Sequence, residues 1–192
     1  MSEDTIRTRS WKRAEYDRLI ESGFFPPGDK VELVGGQLMV AEPQGAPHMT
    51  AILLADEALR RAFGRGWSVR GQGPVALDDE SEPEPDVAVV PGAPRDYRRD
   101  HPARPVLIVE VSETSLSLGR EVKGSLYARA GLADYWIVNL VDRVLEVYRD
   151  PAPAPDAPSG WAYRDVQHLA PEATISALAA AGAVIAVADL LP

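Results

Sequence analysis

Three charged side chains stand in settings where charge is costly. Glu110 lies within VLIVEVS, with Val106, Leu107, Ile108, Val109 and Val111 around it. So apolar a run reads as a strand at the centre of a sheet, buried on both faces. An ionised carboxylate there needs a cation or several hydrogen-bond donors. It is either a metal ligand or acid–base group, or a strand-end carboxylate that stays partly wet or pairs with an Arg. The first reading is preferred, because sites in α/β sheets gather at strand ends. Asp86 repeats the pattern: it follows Pro85 and opens the apolar run DVAVV. Alone it would be a strand-entry residue. Two carboxylates at comparable ends of neighbouring strands would instead hold a hard cation such as Mg²⁺, which takes oxygen ligands and keeps several waters.

Lys123 supplies a positive charge. Of the 20 Lys+Arg residues only Lys12, Lys30 and Lys123 are Lys, so this chain ordinarily writes positive charge as Arg. A Lys is a compact point charge with a tunable pKa. Leu118, Val122, Leu126 and Ala130 recur at i, i+4 and predict the buried stripe of a helix. Lys123 and Tyr127 fall one residue round from that stripe. At such a boundary the stem is buried, and the ammonium either aims at the sheet edge or snorkels to solvent.

The surrounding elements follow from local signals. Ser10 predicts an N-cap, and WKRAEYDRLIES a helix closed by Gly23. VELV and QLMV, joined by Gly35-Gly36, predict a hairpin with a two-residue turn. A helix is expected from Pro47 to Phe63, with Ile52, Leu53, Ala55, Ala58, Leu59 and Ala62 on its buried face. Strands are expected at Trp67–Arg70, Val75–Leu77, DVAVV and PVLIVEVS. A helix should then run from about Leu118 to Ala130 and end at Gly131. DYWIVNL and VLEVYR follow as strands around Val141-Asp142-Arg143. The whole predicts an α/β fold, a sheet flanked by helices. It is read as a single domain over 1–192, with its core at about 11–149, a Pro-rich surface connection at 150–159 and a C-terminal segment at 160–192.

Composition removes other chemistries. The chain has 192 residues and no Cys, which excludes disulfides, thiolate nucleophiles and Cys-type zinc sites. Ser112 and Ser115 have no Ser/His/Asp setting. No apolar run is long enough for a membrane span and MSEDTIRTRS has no apolar leader core, so a cytoplasmic location and no membrane partner are expected. A net charge of −9 argues against a general nucleic-acid coat. Arg95, Arg98, Arg99 and Arg104 form the one local basic cluster singled out, either a solvated loop or a rim that contacts phosphate.

EPDVAVV, VLIVEVS and GREVKGSLYARAGLADYWIVNL resemble the signature segments of the Uma-two family of restriction-endonuclease-like proteins, a branch of the PD-(D/E)XK nuclease superfamily. Pro85-Asp86 matches the PD element and Glu110 the (D/E). The Lys expected two residues on is Ser112, and Lys123 on the following helix matches the family's relocated Lys. Tyr127 to Asn139 is the most family-specific stretch. VELVGGQL resembles the family's first hairpin with Glu32 as its acidic residue, and His48 matches a His at the start of the next helix. The likeness spans roughly Trp11 to Arg149. One position departs: the family's Asp a helical turn before the Lys is Gly119 here.

The resemblance implies a restriction-endonuclease-like mixed central β-sheet flanked by α-helices, and hydrolysis of phosphodiesters, DNA foremost, with Mg²⁺ or Mn²⁺. Asp86 and Glu110 would bind the metal, with the Val111 carbonyl as a further ligand. Lys123 would orient or activate water and steady negative charge. Glu32, His48 and Tyr127 are auxiliary. Glu32 either reaches the metal or is a cross-strand charge on a solvated hairpin, and His48 is either functional or a polar residue at a helix start. Related nucleases often pair to cut both strands, so a homodimer is expected. The alternatives are a nuclease fold used for binding, with weak or absent chemistry, and an oligomeric module that uses the aromatic strand around Tyr135 and Trp136.

Overall fold

The computed structural model describes residues 8–41, 44–114 and 116–192; the first seven residues and Ser115 lie outside them. β3 (Trp67–Gly71), β4 (Val87–Pro91), β5 (Leu107–Ser112), β6 (Asp134–Asn139), β7 (Val144–Pro153) and β8 (Trp161–Leu169) form one six-stranded sheet in that order. All neighbours are antiparallel except β5 and β6, which run parallel. A parallel pair needs a crossover. It is a π-helical turn, Leu118–Lys123, running directly into α3 (Gly124–Arg129).

The apolar runs alternate across the sheet. Val87, Val89, Val109, Val111, Trp136, Val138, Leu145 and Val147 pack against α2 (Ala46–Phe63) and the C-terminal segment. Ala88, Ile108, Tyr135, Ile137 and Tyr148 form the other core with Tyr127 and Leu132. With both faces covered, strands need no polar alternation. Glu110 is an even-numbered β5 residue, so it lies on the α3 side with Ile108. The C-terminal segment adds β9 (Thr174–Ile175), β10 (Ile185–Ala186) and two short 3-10 turns to the α2 side. Buried Asp134 ties it down, accepting from Leu178 N at 2.8 Å and Arg149 Nε at 2.9 Å, while Arg149 Nη2 donates to the Ser176 carbonyl at 2.8 Å.

The hairpin of β1 (Val31–Val34) and β2 (Gln37–Val40) stands outside this sheet. Gly35 and Gly36 have φ of +57° and +78°, the double left-handed turn that matches hairpin twist. α1 (Arg13–Glu21) packs on it through Tyr16, whose hydroxyl donates to the Val31 carbonyl at 2.6 Å. The inner strand docks on the acidic loop: Glu82 N donates to the Leu33 carbonyl at 2.7 Å and Glu84 N to Glu32 Oε2 at 2.9 Å.

Several expectations are corrected. Lys12, not Ser10, takes the N-cap position of α1, because Trp11 N donates to the Gly36 carbonyl and holds residues before the helix against the hairpin turn. Val75–Leu77 forms no regular strand; Val75 N and Leu77 N instead bond the Pro83 and Ser81 carbonyls of the folded-back loop. Leu53 is 63% exposed and Ala62 only half-buried, while His48, Ala51 and Phe63 complete the buried face of α2. Of the stripe expected on the third helix only Leu126 is fully buried. Gly119, Lys123 and Tyr127 face inward and Ala130 is exposed, because the wider π turn rotates the face presented to the sheet. The Pro-rich stretch is partly strand: β7 runs to Pro153 and pairs with Trp161. Tyr135 and Trp136 are wholly buried, so they offer no exposed aromatic strand to a partner. Among the described residues no helix is long and apolar enough to cross a membrane.

Candidate active site

β4 starts and β5 ends at the same edge of the sheet, which brings Asp86 and Glu110 together. The β1 strand lays Glu32 alongside, the π turn delivers Lys123, α3 delivers Tyr127 and the first turn of α2 delivers His48. Glu32, His48, Asp86, Glu110, Val111 and Lys123 line one cleft of about 300 Å³. Tyr127 lies behind it, its hydroxyl donating to Glu110 Oε1 at 2.7 Å. The side chains singled out from the sequence for metal binding or catalysis are thus in one place.

Lys123 Nζ bridges Glu32 Oε1 and Glu110 Oε1 at 3.1 Å each, with all three side chains about nine-tenths buried. Burial alone would lower the pKa of the ammonium, but the charges and hydrogen bonds of Glu110 and Glu32 hold it above its ordinary range. Lys123 therefore keeps its proton. Burial pushes Glu110 up to about 7, opposed by Lys123 and reinforced by Asp86 and Glu32. Asp86 is raised by burial as well, opposed chiefly by its bond from Val111 N. That bond, 2.8 Å to Asp86 Oδ2, couples the two strands at the site.

His48 is lowered by burial, the bond to Val111 opposing, so it stays neutral. Its Nε2 donates to the Val111 carbonyl at 2.9 Å and lies 3.5 Å from Asp86 Oδ2, while Nδ1 is buried with no protein partner among the described residues. His48 thereby occupies one side of the carbonyl expected as a metal ligand. Ser112, where the superfamily pattern has Lys, is buried, and its hydroxyl has no hydrogen-bond partner among the described residues.

The donor set suits a hard cation only in part. Among the described residues, no three His, Cys, Asp or Glu side chains converge to ligate one ion. Glu32 is turned to Lys123, and Glu110 Oε1 is shared by Lys123 and Tyr127. Asp86 and the second oxygen of Glu110 are left. Two carboxylates with the balance made up by water is a setting Mg²⁺ accepts and most softer metals do not.

Gly119 has a steric reason. A Cβ there would meet Ile137 Cδ1 at 3.3 Å and the Tyr135 hydroxyl at 3.5 Å, and the Gly119 carbonyl accepts from that hydroxyl at 3.0 Å. A side chain at 119 would aim at the sheet. The Arg95–Arg104 cluster lies on the exposed β4–β5 connection, at the opposite end of these strands from Asp86, and none of its Arg lines the cleft. All four are exposed.

Lys30, Gln44, Gln72, Glu84 and Glu113 also line the cleft and were not singled out from the sequence. Two of them carried a signal: Lys30 as one of only three Lys, and Glu84 two residues before Asp86 on an extended segment, where side chains share a face. Burial raises the pKa of Glu84, with Glu32 adding to the shift.

No curated protein sequence matches the chain. Among solved structures, one described as a "putative nuclease belonging to DUF820 from Anabaena variabilis ATCC 29413" superposes with a TM-score of 0.63 at 16% identity, covering 90% of this chain and 96% of that one. It shares the fold. The Uma2 family model, described as "Putative restriction endonuclease", matches residues 13–188, nearly the whole chain, and the protein belongs to that family.

Proposed function

We propose that the chain hydrolyses phosphodiester bonds in nucleic acid, DNA foremost, at the cleft of Asp86, Glu110 and Lys123 with Mg²⁺ or Mn²⁺. The observation that carries this reading is a buried Lys ammonium held 3.1 Å from each of two carboxylates, beside a third carboxylate bound to the same strand. A fold kept only for its stability gains little from such a cluster, because desolvating the charges cancels much of their attraction.

Asp86 and Glu110 would hold the cation, which when bound supplies charge for the phosphate and lowers the pKa of water. The chain's own groups do the rest. Lys123 holds its proton and so acts as a donor: it places water and steadies negative charge as the phosphorus centre is attacked. Glu32 holds the ammonium as its second carboxylate partner beside Glu110. The Tyr127 hydroxyl and Lys123 together fix Glu110 Oε1, leaving its other oxygen for the cation. His48 clamps the Val111 carbonyl and so the strand end on which Glu110 sits.

The test is cleavage of plasmid, single-stranded DNA and RNA with Mg²⁺ or Mn²⁺, comparing wild type with Asp86→Asn and Lys123→Ala. The expected result is metal-dependent cutting by wild type, lost by at least about a hundredfold in each variant while circular dichroism stays native. Cutting that persists in excess EDTA, or that Asp86→Asn leaves intact, would overturn the proposal.

A further inference from the structure

Asp86 is anchored through a second chain of contacts that starts at a strained residue. Gln72 follows β3 with φ of +47°. Only two other non-glycine residues among those described have positive φ, Arg143 and Asp150, and neither lines the cleft. A left-handed Gln is costly, and Gly would hold the same turn without strain. The position therefore retains a side chain against the preference of its backbone.

That side chain has a defined task. Gln72 N donates to the Asp86 carbonyl at 2.9 Å, which fixes the two residues together. Gln72 Nε2 donates to Gln44 Oε1 at 2.9 Å, and Gln44 Nε2 donates to Asp86 Oδ1 at 3.4 Å. Asp86 Oδ2 is already held by Val111 N. One carboxylate oxygen is thus tied to β5, and the other is steered by a carboxamide pair at the cleft wall. Both Gln residues come from segments outside α2 and the central strands, so their meeting at Asp86 is not a by-product of core packing.

We infer that Gln72 and Gln44 form a positioning pair that sets Asp86 Oδ1, the oxygen not bound by Val111 N, for a divalent cation. The inference rests on the metal reading above and adds two residues to it. Partners that orient a ligating carboxylate typically change metal affinity by about 10–100-fold when removed. A merely structural role predicts something different: removing Gln72 would change stability and leave affinity alone.

The test is calorimetric titration of the full chain with Mn²⁺ for wild type, Gln72→Gly, Gln44→Ala and the double variant, beside thermal unfolding without metal. The expected result is Mn²⁺ binding weakened about tenfold in each single variant. The double variant should be about as weak as either single one, because the two act in one chain. Gln72→Gly should unfold no earlier than wild type, since the glycine relieves the left-handed turn. Binding within about twofold of wild type in both single variants would overturn the pair while leaving the metal site standing. Absence of saturable Mn²⁺ binding in wild type would overturn the metal reading, and the pair with it.

Discussion

Replacing Lys123 with Met keeps the buried stem and deletes the charge. In the native protein Nζ lies 3.1 Å from Glu32 Oε1 and 3.1 Å from Glu110 Oε1, so those two oxygens are no more than about 6 Å apart. Without the ammonium their repulsion at 6 Å amounts to about 3 kcal/mol at an effective dielectric of about 20. That agrees with the roughly 3–5 kcal/mol typical of removing one partner from a buried pair. The penalty depends on both carboxyls being ionised. Glu110 is already pushed up to about 7 with the Lys in place, and the variant raises it further. A carboxyl whose folded pKa lies above its unfolded value destabilises the fold increasingly as pH rises from the unfolded value through the folded one. At pH 5 Glu110 is protonated and the repulsion is gone, leaving a loss of about 1 kcal/mol from the Glu32 side. At pH 8 the loss is about 2 kcal/mol, because from the wild-type value of about 7 to pH 8 the proton that the variant's Glu110 retains adds at most about 1.4 kcal/mol; this is roughly 4–8 °C in Tm for a chain of this size. Urea unfolding in EDTA at the two pH values measures it. A loss that is the same at both, or below about 0.5 kcal/mol at pH 8, would refute the argument that Lys123 neutralises two ionised carboxylates.

Glu82 is 4% exposed, and among the described residues its Oε2 accepts no hydrogen bond and has only the Arg13 guanidinium 3.8 Å away, so burial raises its pKa against the opposing Arg13 charge; Glu82→Gln should therefore stabilise the protein by about 1 kcal/mol at pH 7, with the gain fading as pH falls below the carboxyl's folded pKa, as urea unfolding would read. Gly119→Asp, which restores the family's usual residue, should cost about 1–3 kcal/mol and bring no gain in cleavage, because its side chain meets Ile137 and Tyr135; a more active variant would overturn that steric account. Asp134→Ala strands Arg149 and frees Leu178 N and Trp136 Nε1. It should cost about 3 kcal/mol and expose residues beyond Leu169 to limited proteolysis while the hairpin stays protected.

Most of the candidate site was legible because charge in an apolar run is conspicuous. Glu110 and Asp86 stand out against valines, and Lys123 against a chain that otherwise uses Arg. The hairpin was legible because Gly35-Gly36 leaves one common geometry. What the sequence hid was rotational. The stripe Leu118–Val122–Leu126–Ala130 is a correct reading of an ideal α-helix, but the π turn shifts the inward face to Gly119, Lys123 and Tyr127. Hydrophobic periodicity cannot register such a turn, since its cause is tertiary: two glycines let the helix approach the sheet until a Cβ on Gly119 would lie 3.3 Å from Ile137 Cδ1 and one on Gly124 3.6 Å from Tyr135 Cε1. Gln44 and Gln72 were illegible for another reason. They sit on irregular segments, where no period assigns a face, and their meeting at Asp86 depends on contacts between segments far apart in the chain.

The charge distribution also bears on how an acidic protein would handle a phosphodiester. Glu32, Glu84, Asp86, Glu110 and Glu113 line the cleft against Lys30 and Lys123, with His48 held neutral by burial. The Arg-rich loop that would offset this excess stands at the other end of β4 and β5. A phosphate approaching five carboxylates and two ammoniums meets net repulsion, and the walls of the cleft screen it less than bulk water would. Raised pKa values at Glu84, Asp86 and Glu110 express that same repulsion and burial from inside. A divalent cation relieves both at once: it stabilises the ionised carboxylates and reverses the local potential where phosphate must sit. The acidity that argues against a general nucleic-acid coat thus supports a site in which nucleic acid and metal enter as partners, with Lys123 already charged to meet them.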